Sequence, residues 1–149
     1  MYKITLKGLA TTSYDKHDDD SLELTIDQLK YLDGIDCQDK FSEYFHKEFT
    51  IGSEVQRNEQ NLIDKGVSGG YMRFKAEGDE LHTIIEYNSN QELTNEELEE
   101  LCEYTNGQLS DGIGEGFEQS PCYSDAEGDY YISPWSRGSK LEAIQEKLN

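Results

Sequence analysis

The stretch Gly70–Asn88, GYMRFKAEGDELHTIIEYN, decides how the rest of the chain is read. Two runs rich in β-branched and aromatic residues flank Glu77-Gly78-Asp79-Glu80, a turn-forming tetrapeptide. That arrangement predicts a β-hairpin, hence an antiparallel sheet. Upstream, Tyr2–Lys7 (YKITLK) alternates apolar and polar residues with the period of a half-buried strand. The acidic DKHDDD at Asp15–Asp20 reads as a solvated loop. SLELTI (Ser21–Ile26) alternates again before a short helical pattern, DQLKYL, which Thr25 and Gln28 could open as a capping box. In DKFSEYFHKEF, residues Phe41, Tyr44, Phe45 and Phe49 form an aromatic stripe at helical spacing, the mark of core packing.

Downstream, LTNEELEELCEY carries a second helix. Thr94 stands three residues before Glu97 as a capping box, Leu98, Leu101 and Cys102 mark a buried side, and Gly107 is placed to end the helix. A second hairpin is expected around the turn DAEG at Asp125–Gly128. KLEAIQEKL (Lys140–Leu148) is expected to be a final helix with Leu141, Ile144 and Leu148 on one face. The expected fold is therefore α+β: one domain over residues 1–149, a mostly antiparallel sheet and about three to four helices.

Charge is the strongest compositional signal. The 149 residues carry a net charge of −19, and no Lys or Arg occurs from Ala76 to Ser136, where sixteen Asp and Glu fall. So dense a negative segment repels nucleic acid and anionic membranes and attracts basic surfaces. No apolar run approaches membrane-spanning length and the N-terminus lacks a signal-peptide core, so a cytoplasmic protein is expected. Cys37, Cys102 and Cys122 show no CxxC spacing and read as reduced, buried thiols.

The glycine-rich DGIGEGFE at Asp111–Glu118 invites a phosphate-loop reading, but it has no lysine, follows a helix, and is bracketed by Asp111, Glu115 and Glu118. His17, His46 and His82 lack metal-ligand spacing, DAEGD lacks the twelve-residue calcium loop, and no nucleophile motif occurs. No catalytic residue, metal or cofactor is therefore expected. Glu96, Glu99, Glu100 and Glu103 recur at spacings of three and four and share one helix face opposite the leucines. Their carboxylates, about 5–6 Å apart, approach the spacing of phosphates along a nucleic-acid strand. Asp111, Glu115 and Glu118 would extend that surface.

Small size, an acidic α+β domain and segregated charge together resemble phage- and mobile-element-encoded inhibitors of bacterial defence, the anti-CRISPR and DNA-mimic antirestriction types. The segment ELTNEELEELCEYTNGQLSDGIGEGFEQSP (Glu92–Pro121) is similar to one in small proteins of bacterial mobile elements. The resemblance implies a non-enzymatic DNA mimic in the bacterial host cytoplasm that occupies the basic nucleic-acid channel of a nuclease effector without binding nucleic acid itself. Two alternatives stay open: a small cytosolic enzyme or ligand-binding protein using the Gly112–Gly116 loop, and an acidic accessory subunit that binds a basic protein.

Overall fold

A computed structural model describes residues 1–16, 21, 22, 29, 32, 33, 62, 64–110, 123–126, 128–133 and 140–148. In chain order the elements are β1 (Tyr2–Leu9), β2 (Thr11–Lys16), β3 (Ser21–Leu22), β4 (Ser68–Glu77), β5 (Glu80–Ser89), α1 (Asn95–Ser110), β6 (Tyr123–Ser124), β7 (Gly128–Ser133) and β8 (Glu142–Lys147). The predicted hairpin is β4–β5. Glu77 pairs with Glu80 across the two-residue turn Gly78-Asp79, and Gly78 takes the positive φ (62°) that such a turn favours.

Among the described residues every strand pairing is antiparallel. One sheet has the order β4-β5-β1-β8 and the other β3-β2-β7-β6. β1 and β2 are nearly one continuous strand that changes sheets at Ala10. This residue is buried, and its N–H donates to Leu81 O (2.9 Å), extending the β1–β5 ladder by one bond. A strand that bends from one sheet into the next makes a corner, and the two sheets then share a core. Ile4, Leu6, Phe74 and Tyr87 of the first sheet and Tyr14 and Tyr130 of the second belong to one buried cluster. The Tyr14 and Tyr130 rings lie 4.6 Å apart, and Tyr123 meets Tyr130 edge-on at 5.2 Å.

The expected α+β fold with three to four helices is corrected: the chain is mostly antiparallel β-sheet, with α1 the one continuous helix among the described residues. The predicted final helix is the edge strand β8, pairing Tyr2↔Lys147 through Lys7↔Glu142. Leu141, Ile144 and Leu148 do have helical spacing, but Ile144 is 61% exposed and Leu148 40%. The residues packed inward are Leu141 and Ala143, two apart, followed by Gln145, whose side chain clasps the backbone of Leu93. An open edge of β1 would leave a row of backbone donors and acceptors without partners, and pairing with them overrides the good helix propensity of KLEAIQEKL. The expected helices at DQLKYL and DKFSEYFHKEF fall outside the described residues, apart from Leu29 and Leu32, which are buried in the core.

Gly107 does not end α1, which continues through it to Ser110. A Cβ added at Gly107 would meet nothing within 4 Å. Gly66 contrasts with it: its φ is +74°, and an added Cβ would lie 2.3 Å from Asn90 Nδ2. Gly107→Ala should therefore stabilise the protein by about 0.5–1 kcal/mol through helix propensity. Gly66→Ala should destabilise it by about 1 kcal/mol or more through left-handed strain. Urea midpoints of the two variants test both signs.

Candidate functional site

The acidic helix is built from its N-terminus. Thr94 and Glu97 close the predicted capping box: Glu97 N–H donates to Thr94 Oγ1 (3.2 Å) and Thr94 N–H donates to Glu97 Oε1 (2.9 Å). Lys65 adds a third partner, its ammonium bonding Glu97 Oε1 and also donating to Glu92 O (3.1 Å). Gln145 of β8 holds the residue before the cap, with Leu93 N–H donating to Oε1 (2.8 Å) and Nε2 donating to Leu93 O (3.1 Å). Two acids in the first turn, Glu96 and Glu97, also complement the helix dipole.

From this anchor a stripe four residues apart, Glu97, Leu101, Thr105 and Leu109, is buried against the sheet. Inside that stripe Tyr87 Oη and Thr105 Oγ1 share a hydrogen bond of 2.9 Å, and burial pushes the Tyr87 phenol above its ordinary range. The four predicted site residues of α1 then separate. Glu96, Glu99 and Glu103 are exposed, and among the described residues no ion pair involves them. Glu100 is half-buried at the margin of the face. Asp111, Glu115 and Glu118, with the Gly112–Gly116 loop, lie outside the described residues.

The base-free segment is not uniformly anionic once folded. Bases from elsewhere in the chain meet its acids on the outer face of the first sheet. Lys7 Nζ lies 2.8 Å from Glu77, with His82 at 3.6 Å and Lys75 at 3.8 Å. Lys3 and Arg73 lie 3.4 Å and 3.1 Å from Glu86. The Lys7 hydrogen bond holds the Glu77 carboxyl below its usual range. For Glu86, burial acts upward, but Arg73 and Lys3 together outweigh it. Among the described residues, Glu96, Glu99 and Glu103 of α1 have no such neighbours.

Between α1 and the start of β8 runs a groove of about 770 Å³. Leu98, Cys102, Leu141 and Ala143, all half-buried against the core, supply its apolar lining. Glu99 and Glu103 stand on its helix wall and the exposed Lys140 on the other. Cys102 is a free thiol whose pKa is pushed up to about 11, by burial first and then by Glu99 and Glu103. A thiol held protonated in this way is a poor nucleophile. A smaller, hydroxyl-rich depression of about 370 Å³ lies over β2 and β7, between Thr11–Ser13 and Tyr131–Ser133. Among the described residues no group of three or more His, Cys, Asp or Glu could hold a metal ion, and no helix is long and apolar enough to cross a membrane.

Sequence reasoning missed Lys65, Lys140 and the lining supplied by β8. Glu97 carried a local signal, since a capping glutamate must turn back toward the helix start. Lys65, thirty-two residues away, carried none.

The anchor makes a pH prediction. Burial raises the pKa of Glu97, yet Lys65 and the Thr94 donors together hold it below the usual carboxylate range. Its contribution to stability is therefore complete above the ordinary carboxylate pKa of about 4.3 and is lost as pH falls toward the depressed folded value. Glu97→Gln should cost about 1–2 kcal/mol at pH 7. The gap between variant and wild type should narrow steadily below about pH 4, as read by urea denaturation across that range.

No protein-family model matches the chain, and no curated protein or solved structure matches it.

Proposed function

We propose that this protein is a non-enzymatic inhibitor that occupies the basic nucleic-acid channel of a nuclease effector as a DNA mimic. The effector class, CRISPR or restriction type, is the one that the sequence resemblance implies. The observation that carries the reading is the exposed row Glu96, Glu99 and Glu103, which has no ion pair among the described residues. It stands on a helix whose opposite face is locked by Leu101, Thr105 and Leu109. Residues three and four apart on a helix have Cβ atoms about 5–6 Å from one another. A groove lined by Lys and Arg that accepts a phosphate strand can accept such a row, because both present regularly spaced anionic oxygens.

Rigidity supports the reading as well as charge. The Thr94–Glu97 box, Lys65 and Gln145 fix the start of the helix against two different strands' ends. Pre-organised charges lose little conformational freedom on docking, so more of their attraction appears as affinity. The Cys102 thiol, held protonated, favours recognition over covalent chemistry at this face.

The test is a triple charge reversal, Glu96→Lys, Glu99→Lys and Glu103→Lys, which leaves the buried stripe intact. Far-ultraviolet circular dichroism should be unchanged, while inhibition of the nuclease and competition with its DNA should be lost. Wild-type affinity should fall about tenfold or more between 50 and 300 mM salt, because exposed charge pairing is screened over that range. Undiminished inhibition by the folded triple variant would overturn the mimic reading.

A further inference from the structure

The α1–β8 groove offers more than negative charge. It pairs an apolar lining, from Leu98, Leu141 and Ala143, with two carboxylates four residues apart, Glu99 and Glu103. Glu96, the third exposed acid of the row, is not among the groove's lining residues.

We propose that this groove takes an arginine side chain from a basic segment of the partner protein. The proposal rests on the DNA-mimic reading and specifies how the same face is recognised. Arginine fits each feature named above. Its methylene stem is apolar and can lie along Leu98 and Leu141. Its planar guanidinium carries five donors in a fixed fork, suited to carboxylates on adjacent turns. A lysine ammonium is a compact, strongly hydrated point charge that gains less from an apolar lining. Lys140, on the opposite wall, repels any incoming cation and makes no ion pair with Glu99 or Glu103 among the described residues. It therefore weakens binding and supplies a test with the opposite sign.

The probes are fluorescein-labelled tetra-arginine and tetra-lysine peptides, read by fluorescence anisotropy against the full chain at 150 mM salt. Tetra-arginine should bind about tenfold more tightly than tetra-lysine. Glu99→Gln and Glu103→Gln should each weaken tetra-arginine about fivefold or more, and Glu96→Gln less than about twofold. Ala143→Leu should block the groove and weaken binding without altering charge, and Lys140→Ala, at an exposed site, should strengthen it severalfold. Should Ala143→Leu fail to fold, the Lys140→Ala and Glu96→Gln comparisons still decide the matter. Equal affinity for the two peptides, with loss spread evenly over Glu96, Glu99 and Glu103, would overturn the arginine groove and leave the acidic-face reading intact. Absence of binding by either peptide would overturn both.

Discussion

The constraint on which the structure rests is the double pairing of β1. All eight of its residues pair with β5 on one side and six of them, Tyr2 to Lys7, with β8 on the other, and the same chain turns through Ala10 to become β2 of the second sheet. A strand buried in this way must satisfy its backbone groups on both edges, because an unpaired donor or acceptor out of reach of water is costly. The demand recruits Glu142–Lys147 as a strand. With β8 in place, Gln145 points inward and its amide meets both backbone groups of Leu93. The position of the acidic helix thus follows from the register of β8 on β1, and that register follows from the open edge of β1.

The helix is held at its start by three chemically different contacts. The capping box is local, the Lys65 ion pair joins it to the segment before β4, and the Gln145 clasp joins it to the other edge of the sheet. Lys65 also organises its own turn, because its carbonyl accepts from Asn90 N–H (3.0 Å) and from Ser89 Oγ (3.2 Å). Gly66 beside it lies too close to Asn90 to carry a side chain. One short stretch, Lys65-Gly66, therefore fixes both the end of β5 and the beginning of α1. Such convergence explains how a helix with no base in its last turn, and several acids along one face that pair with no base among the described residues, keeps a defined position.

The features legible in the sequence were those whose signals are short in range. The β4–β5 hairpin has a turn with glycine where positive φ is needed and alternating runs on both sides, so its register could be read off directly. The Thr94–Glu97 box spans three residues and was equally plain. β8 could not be recognised this way. Leu141, Ile144 and Leu148 fit a helix by spacing, whereas Leu141 and Ala143 fit a strand, and only the presence of an unfilled edge on β1 separates the two. Gly107 misled for a related reason. Glycine is common beyond a helix end, but burial of Leu109 against the core carries α1 another turn past it. The acidic row was legible in outline, and the half-burial of Glu100 depends on neighbours that no local pattern specifies.

The folded chain also changes what the charge run means. Read along the sequence, Ala76–Ser136 is one acidic block without a base. In three dimensions six of its acids part into two groups with opposite fates. Glu77 and Glu86 lie on the outer sheet face, where Lys3, Lys7 and Arg73 come from strands paired alongside, and Glu97 is drawn into the anchor by Lys65. Glu96, Glu99 and Glu103 project from the helix, away from those strands. The bases of β1 and β4 thus serve the fold, and they do so where they cannot reach the helix row. A surface evolved for solubility alone would gain from mixing both signs everywhere. Here cations are placed against structural carboxylates, while among the described residues Glu96, Glu99 and Glu103 pair with none, an anionic row that salt or another molecule can neutralise.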